Sequence, residues 1–124
     1  MPRNRASAKK AGSLFESQVA GFLADALDDD RIERRARNGS KDRGDVSGVR
    51  TATGERVVVE CKNTARPDLA GWVREVEVER GNDDAPCGVI VHKRHGVGAT
   101  RMGEQWVTMT LSDLAVLLGG DRCE

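Results

Sequence analysis

The chain has 124 residues, the size of one domain, and only 3% of them are aromatic, so aliphatic side chains must form its core. Its formal net charge is zero although 32% of the residues are charged, which leaves room for local patches of one sign. Three scattered cysteines without a Cys-x-x-Cys pair argue against a disulfide framework or a zinc site, and no apolar run reaches membrane-spanning length.

The chain is expected to consist of a basic disordered tail over 1–10, a single domain over 11–118 and a short tail over 119–124. Apolar residues at helical spacing predict a first helix from near Ser13 to Leu27. Ser13 and Glu16 fit a capping box at its start.

A hairpin is expected in the middle of the chain. A weakly extended segment over 32–37 and a turn at 38–40 precede a strand over 45–50. A loop containing Gly54 joins that strand to its partner over 56–62.

The remaining elements alternate between helices and strands. We expect a helix over 68–80, an apolar strand over 88–92, a basic loop over 93–103, a strand over 105–110 and a last helix capped by Ser112 and ending at Leu118. Hairpin and crossover connections of this kind predict an α/β fold, with a mixed central sheet flanked by helices.

The most informative residues lie at the end of the valine-rich strand. Glu60 and Lys62 lie two positions apart and therefore share one face, while Cys61 points to the other face as a small core residue. Charge at the end of a buried strand needs a partner or a metal ion. Asp45, one hairpin upstream, together with Glu60 would hold a divalent cation, with Lys62 beside it to orient water or offset charge. An ordinary surface ion pair is the alternative.

Two other acids are candidates for this site. Glu16 serves equally well as a helix cap or as a carboxylate near a metal-bound water, and the two roles can coexist. Glu75 follows Trp72 by three residues and is an additional candidate, whereas Glu77 and Glu79 are expected on the solvated face of their helix.

A basic stretch precedes Asp45 and is expected to contact DNA phosphates. A solubilising loop is the alternative, and the loop from Lys93 to Arg101 is a second candidate patch. The expected DNA-binding residues are Arg34, Arg35, Arg37, Ser40, Lys41 and Arg43.

Glu16, Gly44-Asp45 and Glu60-Cys61-Lys62 together resemble the PD-(D/E)xK nuclease superfamily over roughly residues 12–110. Gly44 replaces the proline of the motif. Three features look most like the Holliday-junction-resolvase branch, especially its small phage-encoded members. They are the Gly-Ser-Leu-Phe-Glu helix, the Glu-Cys-Lys strand end, and the tryptophan helix followed by an apolar strand.

The resemblance implies a restriction-endonuclease-like αβββαβ core. Asp45 and Glu60 would bind Mg²⁺, or Mn²⁺ in its place, with the Cys61 backbone carbonyl as a further candidate ligand. Lys62 would be the catalytic lysine and Glu16 the helix carboxylate. Family members often carry a glutamine where Glu75 lies, which leaves the role of Glu75 open.

The expected function is that of a magnesium-dependent DNA endonuclease that resolves four-way junctions as a homodimer. It would act in the cytoplasm of a bacterial or phage-infected cell, without a nucleotide cofactor and without a membrane partner. Three alternatives stay open: a nuclease of the same fold for other DNA structures, a non-catalytic DNA-binding module, and an accessory protein with no nucleic-acid role.

Overall fold

A computed structural model describes residues 4–36 and 41–122. Its elements, in chain order, are α1 (Arg5–Leu27), β1 (Glu33–Arg34), β2 (Val46–Ser47), β3 (Val57–Lys62), α2 (Leu69–Asp83), β4 (Cys87–His92), a 3-10 helix (Ala99–Glu104), β5 (Trp106–Thr108) and α3 (Leu111–Leu117).

The five strands form one mixed sheet in the order β1-β2-β3-β4-β5. Only β3 and β4 run parallel, because the α2 crossover connects them, and the other neighbours are antiparallel. The predicted α/β class, with a mixed sheet flanked by helices, is confirmed.

The alternation of side chains along β3 sorts them between the two faces of the sheet. Val57, Val59 and Cys61 pack with α1 and α3 in the larger core cluster. The intervening side chains, including Glu60, point to the α2 face. There Trp72 and Val76 form a smaller cluster with Ile90 of β4.

The start of α1 differs from the prediction, since the helix begins at Arg5 and includes most of the segment expected to be a disordered tail. Asn4 is the N-cap, and its side-chain oxygen accepts a hydrogen bond from the Ser7 amide. Ser13 lies inside the helix, so the predicted capping box with Glu16 is wrong.

Several other boundaries also differ. The first hairpin strand is reduced to Val46–Ser47, followed by an isolated bridge between Arg50 and Arg56. Thr110, not Ser112, caps α3, because the Thr110 hydroxyl accepts from the Asp113 amide.

The helix expected to end at residue 80 continues to Asp83. Further differences concern segments expected to be irregular. The 3-10 helix occupies the end of the loop expected over 93–103. In the predicted C-terminal tail, Arg122 donates to Asp113 Oδ1 at 2.6 Å, so this part of the tail is attached to α3. Within residues 4–36 and 41–122, no helix has both the length and the apolar character needed to cross a membrane.

Candidate active site

Asp45 lies directly beside the end of β3, as the sequence predicted. Its amide donates to Val59 O at 2.8 Å, and its Oδ2 accepts from the Cys61 amide at 2.8 Å. Gly44 permits this approach, since its φ is +96° and a Cβ there would lie 3.0 Å from Val59 O. The Asp45 carboxylate therefore accepts the hydrogen bond from β3 that the backbone carbonyl of a neighbouring strand would otherwise accept.

Glu60 and Lys62 share the α2 face of β3, also as predicted. Glu60 is buried, with 2% of its surface exposed. Lys62 Nζ lies 3.9 Å from Glu60 Oε2 and donates to Glu75 Oε2 at 2.8 Å. The lysine therefore bridges a buried acid on the strand and a half-exposed acid on α2.

Glu79 is buried in the site, and the prediction that placed it on the solvated face of its helix is wrong. It is 2% exposed, and its carboxylate converges with those of Glu60 and the exposed Asp42, with one oxygen from each lying within 4.8 Å of the others. A sequence signal for this burial existed, because Glu79 follows Trp72 by seven residues and Val76 by three, on the apolar stripe of α2.

Asp42 was not singled out from the sequence, and its position depends on contacts distant in the chain. Its Oδ1 accepts from the Gly44 amide at 3.0 Å, and its backbone carbonyl accepts from Asn82 Nδ2 at 2.7 Å. The segment before Asp45 is thereby held against the end of α2, which brings a third carboxylate to the cluster.

Two oxygens of this cluster are fully buried without a hydrogen-bond donor. Among the described residues, neither Glu60 Oε1 nor Glu79 Oε2 has one. Such an arrangement is costly for ionised carboxylates unless a cation compensates it.

The electrostatics of the cluster reflect this cost. Burial, together with hydrogen bonding to Asp45 and Glu79 and their charges, strongly raises the pKa of Glu60. Burial also raises the pKa of Glu79 to about 7, against the lowering effect of its hydrogen bond with Glu60, and nearby carboxylates including Asp42 reinforce the rise. Without a cation, the cluster therefore retains protons at neutral pH.

Lys62 is held in its charged form. Desolvation lowers the pKa of its ammonium, but the hydrogen bond to Glu75 and the charges of Glu60, Glu75 and Asp45 outweigh that effect, so the pKa is raised. At neutral pH Lys62 can donate hydrogen bonds and stabilise negative charge, whereas it cannot act as a base.

Cys61 contributes its backbone to the site and its side chain to the core. Lys62 O accepts from the Lys93 amide in the parallel ladder, so the Cys61 amide and carbonyl point to the opposite side, where Asp45 lies. Its thiol packs in the larger core cluster, as predicted. Burial, and to a smaller extent the charge of Asp45, raises the pKa of the thiol. The thiol is therefore protonated and unreactive.

Glu16 is not one of the three converging carboxylates. It lies on α1, on the opposite side of the sheet from α2, and its Oε2 accepts from Arg34 Nε at 2.9 Å. Its charge contributes to the raised pKa of the Cys61 thiol, which places it near the strand end. The structure thus brings Glu16 to the edge of the site, in an ion pair.

The basic residues expected to bind DNA differ in their surroundings. Arg34 is tied to Glu16 and to the Ser13 hydroxyl, whereas Lys41 and Arg43 are exposed. Arg35 is half-buried beside the hairpin. Arg37 and Ser40 lie outside the described residues.

The second basic patch, in the loop after β4, is largely occupied by its own contacts. The Lys93 ammonium donates to the carbonyls of Arg94 and Val97. Arg94 lies over the Trp106 ring, 4.4 Å from its centroid, and Arg101 pairs with Glu104. These side chains would have to exchange partners to reach a phosphate.

The donor chemistry of the acidic cluster fits a divalent cation. Carboxylate oxygens are the ligands that hard cations such as Mg²⁺ prefer, and Glu60 and Glu79 each present a buried oxygen without a donor. Zinc-type ligands are lacking, since no histidine or cysteine side chain belongs to the cluster found among the described residues.

Comparisons with protein-family models, curated proteins and solved structures found no match to this chain.

Proposed function

We propose that the chain is a divalent-cation-dependent endonuclease that hydrolyses phosphodiester bonds in DNA. The observation that carries the proposal is a pair of buried carboxylate oxygens, on Glu60 and Glu79, that have no donor within residues 4–36 and 41–122 and lie beside the charged Lys62. Acids alone would suggest a cation site. Acids with an adjoining ammonium suggest a site where a cation and an anionic substrate meet.

The residues that would hold Mg²⁺, or Mn²⁺ in its place, are Asp45 and Glu60, with Glu79, Asp42 and the Cys61 carbonyl as further ligands. A bound divalent cation supplies Lewis-acid activation of the phosphodiester and of the attacking water. The raised pKa values of Glu60 and Glu79 mean that loading the site releases protons, so cation affinity should rise with pH.

Lys62 would stabilise the negative charge that develops on the phosphoryl oxygens. Its ammonium donates to Glu75 Oε2 at 2.8 Å, and a phosphate oxygen would take the place of that carboxylate as the acceptor. Glu75 would thereby act as a positioning residue that holds the Lys62 ammonium in place in its charged form. Glu16, paired with Arg34, would hold that arginine at the strand end.

A four-way junction, cut by a homodimer, is the substrate that we favour within this activity. The support is the sequence resemblance to the Holliday-junction-resolvase branch of the PD-(D/E)xK superfamily. The observed element order over residues 5–92, helix, three strands, helix and strand, is compatible with the αβββαβ core of that superfamily.

The experiment that tests the activity incubates purified protein with labelled four-way, linear duplex and single-stranded DNA, with and without Mg²⁺. We expect cation-dependent cutting of the four-way junction. Asp45→Asn and Glu60→Gln should abolish cleavage while retaining junction binding, because cation binding fails while the basic surface is unchanged.

One control variant and two outcomes separate the alternatives. Glu55→Gln alters an exposed acid in the hairpin loop and should cleave like the native protein. Preferential cutting of nicked or flapped duplex would assign the same chemistry to another substrate. Binding in chelator, with no cleavage under Mg²⁺ or Mn²⁺, would leave a DNA-binding module and refute the enzymatic proposal.

A further inference from the structure

A positively charged pocket lies on the same side of the hairpin as α2. Its charge is opposite to that of the acidic cluster. It has a volume of about 210 Å³, and its charged lining consists of four arginines against one aspartate. These residues are Arg35, Arg43, Arg50, Arg56 and Asp83.

The hairpin places two of these arginines directly opposite each other. Arg50 and Arg56 form an antiparallel bridge, which puts like charges on neighbouring strands at the closest cross-strand position. Each guanidinium has five N–H donors. Among the described residues, Arg50 donates to Gly54 O and Arg56 to Asp83 O, both at 3.0 Å. Asp83 Oδ1, 4.0 Å from Arg56, is the one carboxylate in the pocket lining and offsets only part of the four positive charges. The arginines keep further N–H donors that an anion in the pocket can contact.

Arg35 supplies a second, independent observation. Its Nε is fully buried, and no acceptor for it exists among the described residues. Burying a charged donor without an acceptor is destabilising. The Arg35 amide donates to Asp45 O at 2.8 Å, so the backbone of Arg35 pairs directly with a residue of the candidate active site.

We propose that this pocket binds a phosphodiester group of the nucleic-acid backbone, on the same strand as the group that the acidic cluster would engage. Among the described residues, the two sites lack opposite hydrogen-bond partners: the acidic cluster contains buried acceptors without donors, and the arginine pocket contains a buried donor without an acceptor. A cation satisfies the first and a phosphate oxygen the second. The location of cleavage relative to the pocket rests on the proposed nuclease function, whereas anion binding by the pocket does not.

The spacing of the two sites suits neighbouring positions on one strand. Asp83 lines the pocket and Glu79 belongs to the cluster, so they are separated by about 6 Å along α2 at roughly 1.5 Å per residue. Arg56 immediately precedes β3, and it lies about 13 Å from Glu60 along the extended chain at roughly 3.3 Å per residue. A DNA strand advances roughly 3.4 Å per nucleotide along its axis, and its phosphates also wind around that axis, so the bound phosphate would lie at most about four nucleotides from the one at the cluster.

The test measures DNA binding in chelator, where no cleavage can occur, as a function of salt. We expect Arg50→Ala combined with Arg56→Ala to weaken binding about tenfold or more and to reduce the slope of log K against log salt by about 1. The matched control is Arg31→Ala combined with Arg74→Ala, which removes the same charge. Arg31 pairs with Asp29, and the exposed Arg74 on α2 lines neither the pocket nor the acidic cluster, so affinity should change less than about twofold.

Two further measurements keep a folding defect from being mistaken for a binding defect. Inorganic phosphate should raise the Tm of the native protein above that in sodium chloride of equal ionic strength, and should lose this effect in the pocket variant. Replacing the same two arginines by lysine keeps the charge but loses the planar fork. This variant should recover the salt slope and only part of the affinity.

The outcomes separate this proposal from the enzymatic one. If the pocket variant binds DNA as tightly as the control variant does, the pocket proposal is wrong, whether or not the native protein cleaves DNA. If the pocket variant loses affinity while the native protein cuts no DNA with any cation, the pocket stands and the nuclease proposal falls.

Discussion

Replacing Glu79 by glutamine should stabilise the cation-free protein at pH 8 and leave its stability unchanged at pH 4.5. Glu79 is 2% exposed, shares a confined space with Glu60 and Asp42, and has one buried oxygen without a donor. Glutamine has nearly the same shape and no charge. Its amide group can also donate to the orphaned oxygen of Glu60.

The magnitude follows from the pKa of Glu79, which burial raises from 4.5 to about 7. Between these values the folded chain binds more protons than the unfolded chain does, so stability falls as pH rises from 4.5 and levels off above 7. At about 1.4 kcal/mol per pH unit, the loss is about 3.5 kcal/mol. Since exposed Asp42 leaves one side of the cluster open to water, we expect somewhat less than half of this loss, roughly 1.5 kcal/mol.

The assay is thermal unfolding in chelator at pH 8 and at pH 4.5. For a chain of this length, a gain of roughly 1.5 kcal/mol corresponds to a Tm increase of about 6 °C at pH 8. Glu77→Gln is the matched control on the same helix. Glu77 is exposed, and its hydrogen bond from Arg80 and the charges of Arg80 and Arg122 lower its pKa, so this variant should lose stability at pH 8.

A lower Tm for Glu79→Gln at pH 8 would refute the reasoning, because it would mean that the ionised carboxylate is already compensated within the protein. Equal gains at both pH values would point to better packing in place of relieved electrostatics.

Three further predictions concern the same site. Mg²⁺ should raise the Tm of the native protein at pH 8 but not that of Glu60→Gln, and equal shifts in calorimetry would place the cation elsewhere. Glu75→Gln should lower the pKa of Lys62, because a hydrogen bond and a negative charge are lost; an unshifted NMR titration of the lysine ammonium would contradict this assignment. Gly44→Ala should cost about 1–3 kcal/mol in urea unfolding, since φ is +96° and the new Cβ would meet Val59 O; native-like stability would show that the turn can relax.

The sequence by itself determined the local arrangement of the site. Alternation along the valine-rich strand predicts that Glu60 and Lys62 share a face and that Cys61 joins the core, and both predictions are confirmed. The hairpin predicts that Asp45 reaches the end of that strand, which the hydrogen bond to the Cys61 amide confirms. These relations depend on neighbours in the chain, where strand geometry leaves few alternatives.

Tertiary packing decided which groups from distant segments join them. Helical spacing places Glu79 on the stripe of Trp72, but only the seating of α2 across the sheet turns that position towards Glu60. Asp42 enters the cluster because Asn82 holds its backbone, a contact across forty residues that no local pattern encodes. The acids become buried only once both faces of the sheet are covered, because desolvation depends on the whole surrounding volume. The raised pKa values and the buried oxygens without donors follow from that burial.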